Sequence, residues 1–149
     1  MLSDVGSLAV GSELPTLVGH PLRVVDFVRY QGVSGDMNPL HHDRAFAQES
    51  GCRDVLAMGM LQAGVLGSHL AGIVGPHNMR RFKVQWRAVA CAGDVLSYTG
   101  LAVSRRRAVG EDVIDMEWTA TRQTGEIHFY AWATAAVDGG VTLVPQRST

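Results

Sequence analysis

The second half of the chain alternates between apolar and polar residues with a period of two. Three segments between residues 80 and 138 show this pattern, and their apolar positions are Phe82, Val84, Trp86 and Ala88, then Ile114, Met116, Trp118 and Ala120, then Phe129, Ala131, Ala133 and Ala135. Such alternation is typical of antiparallel strands with one covered face and one wetter face. We therefore predict four long strands near residues 80–90, 95–108, 112–123 and 126–138, with a short first strand near Ser12.

The first half of the chain has a different pattern, because residues 21–75 are irregular or helical and rich in small residues. The stretch Gly59–Ile73 is apolar almost all round, which indicates a buried helix. A curled antiparallel sheet wrapped around this one central helix accommodates both patterns. We therefore predict an α+β fold in which residues 1–149 form a single domain, long enough to bury its own core.

Composition and charge exclude several classes of protein. Hydrophobic residues make up 46% and charged residues 18% of the chain, which is an ordinary globular balance. The net charge of −1 gives no electrostatic reason to bind nucleic acid or an anionic membrane. Cys52 and Cys91 are far apart without metal or redox spacing, and no Lys or Arg precedes Arg23. We expect a cytoplasmic protein with reduced thiols and neither nucleic acid nor membrane as a partner.

One loop carries the residues best suited to acid–base chemistry. Within Ser34–His41 the carboxylate of Asp36 and the imidazole of His41 lie five positions apart. A reaction that moves a proton and a water molecule needs such a pair. Asn38 precedes a proline and therefore avoids the helical region, which would set how the two side chains face each other. The structural alternatives are an Asx turn at Asp36 and a hydrogen-bonded, partly buried histidine at position 41.

This loop and three other landmarks resemble one known family. The matching residues are Tyr30, Ser34-Gly35-Asp36, Asn38-Pro39 and His41, followed by the helical stretch Arg44–Glu49. Together they resemble the hydratase 2 motif of the MaoC-like enoyl-thioester hydratases and dehydratases, which are a branch of the hotdog-fold superfamily. Residues 11–15 resemble the family's opening strand, residues 59–61 the start of its central helix, and residues 88–96 its strand and turn with Gly-Asp. The resemblance implies a hotdog fold over nearly the whole chain.

The resemblance also implies a reaction and assigns roles to residues. The reaction is the reversible addition of water to a trans-2-enoyl thioester, giving an (R)-3-hydroxyacyl thioester of coenzyme A or acyl carrier protein, without a cofactor. Asp36 would be the base, and His41 would hold the same water or pass the proton. The backbone amide of Gly59, at the start of the helix, would belong to the oxyanion hole. The alternative for Gly59 is a role in helix packing alone.

Further residues are candidates for substrate binding. Ser34 and Asn38 match the motif, although Asn38 is equally suited to forming the turn, and Tyr30 could belong to the core. Many family members read Ala-His-Gly-Met where this chain has Ala-Met-Gly-Met, so Met58 replaces a polar group near the thioester and makes the pocket more apolar. This replacement leaves the choice of substrate open.

Basic residues gather on and before one predicted strand, at Arg80, Arg81, Lys83 and Arg87. They form either a solvated sheet face or a contact with the phosphates of coenzyme A or of a carrier protein's phosphopantetheine, for which Arg81 and Lys83 are the candidates. A second basic run, Arg105–Arg107, meets the acidic pair Glu111-Asp112, and we expect a charge-stabilised hairpin end there.

The remaining histidines receive no catalytic role. His41-His42-Asp43 does not predict a metal site, because adjacent ligands on a short loop rarely face one ion and further ligands are missing. Asp43 is instead placed to cap the following helix. His20, His69, His77 and His128 have no motif around them.

Two other functions and an assembly state complete the expectations. A non-catalytic hotdog subunit could shape the acyl tunnel of a catalytic partner, but such a subunit would be expected to lack Asp36 and His41. A hotdog thioesterase is the third reading, and it does not match the motif. Because a sheet of this size leaves an edge strand to protect, we expect a homodimer or higher homo-oligomer, with a heterodimer as the alternative.

Overall fold

The computed structural model describes residue 6 and residues 8–137, and within them five strands form one antiparallel sheet around a central helix. The strands are β1 Glu13–Val18, β2 Met79–Trp86, β3 Leu96–Ala108, β4 Glu111–Arg122 and β5 Ile127–Ala136, in the order β1-β3-β4-β5-β2. The helices are α1 Val24–Ser34, α2 Arg44–Glu49 and α3 Gly59–Val74. The predicted α+β class and hotdog architecture are confirmed. The last residue of the predicted strand 126–138 lies outside the described residues.

The sheet buries one face against α3, as the alternation predicts. On β4 the alternate residues Ile114, Met116, Trp118 and Ala120 are all at most 1% exposed, and on β5 alanine fills four of the buried positions. Helix α3 contributes Leu66, Leu70 and Val74, all fully buried, to the same core. Small residues on the sheet let a helix approach closely, so the side chains of α3 fill the space between the two layers.

Strand β2 departs from its prediction in two ways. It is an edge strand that pairs with β5, and Phe82 and Trp86 remain 37% and 44% exposed, so its predicted covered face is largely open among the described residues. It also ends at Trp86 rather than near residue 90. The amides of Arg87 and Ala88 both donate to the His128 carbonyl, which ends the regular ladder and turns the chain away from β5.

Helix α1, which the sequence pattern did not delimit, positions the loop with the acid–base pair. It ends at Gly35, whose φ of 75° lies in the left-handed region and whose amide donates to the Gln31 carbonyl at 2.9 Å. A glycine adopts this conformation without steric cost, so the chain reverses direction directly before Asp36.

Candidate active site

The loop after α1 is shaped by short-range hydrogen bonds. The Asp36 amide donates to Ser34 Oγ, and the Asn38 amide donates to Asp36 Oδ1, both at 3.3 Å. The second bond is the Asx turn that was the structural alternative for Asp36. The carboxylate therefore shapes the turn with Oδ1 and leaves Oδ2 available. Asn38 has the turn-forming role, because its Oδ1 accepts from the Leu40 amide at 3.0 Å.

Gln31 holds this loop from inside the protein. Its side chain is buried, and its Nε2 donates to the carbonyl oxygens of Asp36 at 2.9 Å and Asn38 at 3.2 Å. Its Oε1 lies 3.0 Å from His42 Nδ1. Sequence reasoning missed Gln31. The sequence feature that could have identified it is a polar residue at a core position. It lies one turn before the end of the helix that leads into the motif.

His41 has a defined orientation. It ends a short 3-10 turn, Pro39–His41, and its Nδ1 lies 2.8 Å from the Leu56 carbonyl. Because a carbonyl only accepts, Nδ1 carries the proton in this contact and Nε2 is left to face Asp36. The Leu56 amide in turn donates to the Leu40 carbonyl at 2.8 Å. The segment before α3 is thus fastened directly to the histidine loop.

The structure brings Asp36 and His41 together. Asp36 Oδ2 lies 3.7 Å from His41 Nε2, and the Asp36 and His41 side chains are 55% and 12% exposed. At this separation the two atoms do not form a direct hydrogen bond, but both can reach one oxygen atom placed between them. The pair can therefore orient a hydroxyl group or a water molecule and exchange a proton with it.

Gly59 is the first residue of α3, and Met58 occupies the preceding cap position without a capping side-chain bond. The amide of Gln62 donates to the Met58 carbonyl at 3.3 Å, and no described residue accepts from the amides of residues 59–61. Free amides at a helix start favour a negatively charged or polarised oxygen. Met58 is buried at 3% exposure, so its side chain adds an apolar wall and no donor.

A cleft of about 720 Å³ brings together Asp36, His41 and the start of α3, whereas Gln31 and the predicted binding residue Asn38 are not part of its wall. Its walls come from the loop after α1, the start of α3 and the chain beyond β2, and they include Tyr30, Ser34, Asp36, His41, Met58, Gly59, Trp86, Arg87 and His128. A second depression of about 570 Å³ shares Tyr30 with it and is lined largely by apolar residues of α1, α3 and the end of β1. The geometry thus joins a polar reacting end to an apolar space.

His128 lines the cleft and was also missed by sequence reasoning. It is 3% exposed, and its Nδ1 lies 2.7 Å from the Ala88 carbonyl, so Nδ1 is the protonated nitrogen. Burial lowers the pKa of His128 below its ordinary value. Its Nε2 is buried and has no hydrogen-bond partner among the described residues. No local motif accompanies it, since it enters the cleft only through the pairing of distant strands.

Asp94, from the Gly-Asp landmark, lies beneath the cleft in a structural network. Its side chain is 1% exposed and accepts from the Cys91 amide at 2.8 Å and from Gln123 Nε2 at 3.0 Å. Arg53 Nη2 and Arg122 Nε approach its two oxygens at 2.5 Å and 3.2 Å. This carboxylate fastens the turn after residue 90 to β4.

The structure does not bring every predicted binding residue into the cleft. Arg81 and Lys83 are exposed on β2 and are not part of the cleft wall, and the Lys83 ammonium instead lies 5.3 Å from the Trp132 ring centroid. Their contact with phosphate stays a prediction. The expected cap is present, because Asp43 Oδ1 accepts from the Phe46 amide at 3.1 Å.

The second basic run divides among several partners. Arg107 lies 3.6 Å from Asp112 as expected, whereas Arg106 pairs with Asp115 and Arg105 donates to the Gly6 carbonyl. Glu111 pairs instead with Arg80. This hairpin end is therefore stabilised by charge, with a wider set of partners than the sequence suggested.

The described residues offer neither a metal site nor a membrane-spanning helix. Across residue 6 and residues 8–137, no three His, Cys, Asp or Glu side chains are grouped so that they could hold a metal ion. In the same part of the chain, no helix has the length and apolar character needed to cross a membrane.

Comparison with known proteins identifies the family. Residues 7–125 match the family model described as MaoC like domain, and the chain therefore belongs to the MaoC-like dehydratase family. The search of curated protein sequences found no significant match.

Several solved structures share the fold of this chain. The R-hydratase PhaJ1 from Pseudomonas aeruginosa is 22% identical with a TM-score of 0.78, and the match covers 99% of this chain and 96% of that chain. The (R)-hydratase from A. caviae involved in PHA biosynthesis is 20% identical with a TM-score of 0.76, covering 86% and 96%. A chain of the ChsH1-ChsH2 complex from Mycobacterium tuberculosis is 18% identical with a TM-score of 0.75, covering 87% and 98%.

Proposed function

We propose that this protein interconverts a trans-2-enoyl thioester and an (R)-3-hydroxyacyl thioester by addition or loss of water. The observation that carries the proposal is the 3.7 Å approach of Asp36 Oδ2 to His41 Nε2, in one cleft with the free amides at the start of α3. Acid–base groups and a place for an enolate-like oxygen are the two requirements of this reaction.

In the hydration direction, a water molecule lies between Asp36 and His41 and attacks the β-carbon of the enoyl group. The water proton passes to this pair, and the electron pair of the double bond moves towards the thioester carbonyl. The Gly59 amide donates to that carbonyl oxygen as negative charge develops. The α-carbon then receives a proton from the same pair. Dehydration runs the same steps in reverse.

The second depression supports a binding mode for the acyl chain. It adjoins the cleft at Tyr30 and is walled by Phe27, Leu61 and Val65, which belong to α1 and α3. An acyl tail in this space buries its methylene groups, each contributing about 0.8 kcal/mol when fully removed from water. Arg87, which lines the cleft at its exposed wall, and the more distant Arg81 and Lys83 are candidates for the phosphates of coenzyme A or phosphopantetheine.

We also propose that the chain assembles through the edge of β2, which is bonded to β5 on one side and open on the other among the described residues. Pairing of two such edges in a homodimer would continue the sheet and protect its unpaired backbone groups. One structural relative is solved as the ChsH1-ChsH2 complex, so a heterodimer is the alternative.

The test is the loss of enoyl-thioester ultraviolet absorbance when purified protein is added to crotonyl-coenzyme A, to longer enoyl-coenzyme A substrates and to the matching carrier-protein thioesters. Asp36→Asn and His41→Ala should each lower kcat/KM by roughly a thousandfold, within the range of general acid–base catalysis. Asp43→Asn is the matched control. It changes a carboxylate of the same segment, and asparagine also caps helices, so its rate should equal that of the wild type.

Either of two results would contradict the proposal. Full activity in Asp36→Asn would remove that residue from the reaction. Absence of activity with both carriers would favour a scaffold subunit, and it should then be followed by measuring whether Asp36→Asn leaves partner binding intact.

A further inference from the structure

Trp86 lies directly against the first residue of α3. A Cβ atom built on Gly59 would be 2.6 Å from Trp86 Nε1, 3.0 Å from Cε2 and 3.3 Å from Cδ1. The nitrogen is the nearest of these atoms and the two carbons are its bonded neighbours, so the built Cβ lies over the face of the indole at its nitrogen end. Any side chain at position 59 would displace this ring.

The spacing of the two donors suits a single acceptor. A Cβ lies about 2.5 Å from its own amide nitrogen by standard geometry, so Trp86 Nε1 is at most about 5 Å from the Gly59 nitrogen. One oxygen that accepts two N–H bonds of about 2.9 Å can hold donors as far as about 5.8 Å apart. The indole N–H and the Gly59 amide therefore lie within reach of one oxygen atom.

The indole N–H is available for a ligand. Trp86 lines the same cleft as Asp36 and His41, its side chain is partly exposed, and its Nε1 has no hydrogen-bond partner among the described residues. An indole nitrogen only donates, so its partner must be an acceptor. Met58, which directly precedes Gly59 in the sequence, has no hydrogen-bond donor in its side chain. The three atoms nearest to a Cβ built on Gly59 thus all belong to Trp86, and one of them is a side-chain N–H nitrogen.

We propose that Trp86 Nε1–H and the Gly59 amide together donate to the carbonyl oxygen of the substrate thioester. This inference rests on the proposed hydration reaction and adds a catalytic residue to it. An oxygen that gains charge in the transition state is stabilised by each donor already aimed at it. Trp86 therefore raises kcat, while a purely structural tryptophan would not change the electronic state of the bound substrate.

The first measurement is the rate of hydration in Trp86→Phe, which keeps an aromatic ring and removes the N–H. We expect kcat to fall by roughly a hundredfold with KM little changed, as for loss of one oxyanion donor. Trp132→Phe is the matched control, because Trp132 lies on neighbouring β5 and does not line the cleft. Its kcat should equal that of the wild type.

The second measurement detects the hydrogen bond without turnover. 2,4-Hexadienoyl-coenzyme A is added to Asp36→Asn, and the absorbance maximum of the bound thioester is recorded, since donors on the carbonyl shift this conjugated absorbance to longer wavelength. The shift should be much smaller in Asp36→Asn combined with Trp86→Phe, at saturating probe, and unchanged in the combination with Trp132→Phe.

Three results are informative. A full shift in the Trp86→Phe combination would overturn the inference. No shift in Asp36→Asn alone would also overturn it, and hydration by the wild-type protein would then show that the proposed function stands without it. No shift together with no hydration by the wild type would reject both.

Discussion

Asp36 and Asp94 are two carboxylates of one fold in opposite surroundings. The Asp36 side chain is 55% exposed and has His41 at 3.7 Å, whereas the Asp94 side chain is 1% exposed and lies between Arg53 and Arg122. Burial alone would raise the pKa of Asp94, but hydrogen bonds from the Cys91 amide, Gln123 and Arg53, with the charge of Arg122, hold it below its ordinary value. These donors therefore favour the charged form of Asp94.

The two carboxylates differ in how much of their hydrogen-bonding capacity is already used. Asp94 has both oxygens occupied by donors, so a change of protonation would break several bonds at once. Asp36 uses Oδ1 for the turn and keeps Oδ2 beside His41 Nε2. Charge and burial alone do not identify a catalytic carboxylate, and unused hydrogen-bonding capacity next to a second titratable group is the better criterion.

The largest expected effect on stability is that of Asp94→Asn, compared with Asp36→Asn. Asp94→Asn removes the charge that faces Arg53 and Arg122 and should lower the free energy of unfolding by about 3 kcal/mol, as expected when one partner of a buried ion pair is lost. Asp36→Asn should change it by less than about 0.5 kcal/mol, because the side chain is exposed and asparagine can keep the turn. Urea denaturation measures both.

Hydration assays on the same two variants show whether the effects on activity are the reverse of the effects on stability. At a temperature well below its unfolding transition, Asp94→Asn should keep kcat/KM within about tenfold of the wild type, in contrast to the loss expected for Asp36→Asn. A loss of stability in Asp36→Asn comparable to that of Asp94→Asn would show that the two carboxylates do not differ in the way described.

His128 extends the comparison from a buried acid, Asp94, to a buried base. Because burial lowers its folded pKa, the unfolded chain binds the extra proton first as the pH falls. Its contribution to stability is complete above the unfolded pKa of about 6.5 and declines below it, by at most about 1.4 kcal/mol per pH unit. His128→Gln should therefore lose less stability than the wild type between about pH 7.5 and pH 5.5.

The control for this prediction is His77→Gln, since His77 is exposed and lies outside the cleft. Its unfolding free energy should follow the wild-type pH dependence. Equal acid sensitivity in His128→Gln and the wild type would mean that another group is responsible.

Asp115 is an intermediate case, partly buried on β4. A hydrogen bond from Arg106 is the main cause that lowers the pKa of Asp115 to about 2. Burial opposes this shift, and hydrogen bonds from Thr134 and Ser104 add to it. Its stabilisation is present above the unfolded value of about 3.8 and is lost as the pH falls towards 2. After allowance for solvent screening, Asp115→Asn should reduce the stability lost between about pH 6 and pH 3 by roughly 1 kcal/mol.

Urea titrations at the two pH values test this smallest effect, with Glu117→Gln on the exposed face of the same strand as the control. If the wild type and Asp115→Asn lose the same free energy of unfolding between the two pH values, Asp115 contributes no more to stability than an ordinary surface charge.

The fold was more predictable than the site. Alternation on β4 and β5 identified the buried faces because helix α3 covers that side of the sheet. The same alternation overstated the burial of β2, because α3 covers this edge strand only in part and leaves Phe82 and Trp86 exposed at 37% and 44%. The pair Asp36 and His41 was predictable because both lie in one short loop. His128 and Trp86 were not, because strand pairing brings them to the cleft from distant parts of the sequence.

Gln31 has a consequence for how many substitutions the loop can tolerate. Its Nε2 donates to the main-chain oxygens of Asp36 and Asn38, so these two bonds do not depend on the side chains at either position. A substitution at Asp36 or Asn38 therefore removes a side-chain hydrogen bond of the turn but leaves the bonds from Gln31 in place. The buried amide separates the position of the loop from the chemistry that the loop carries.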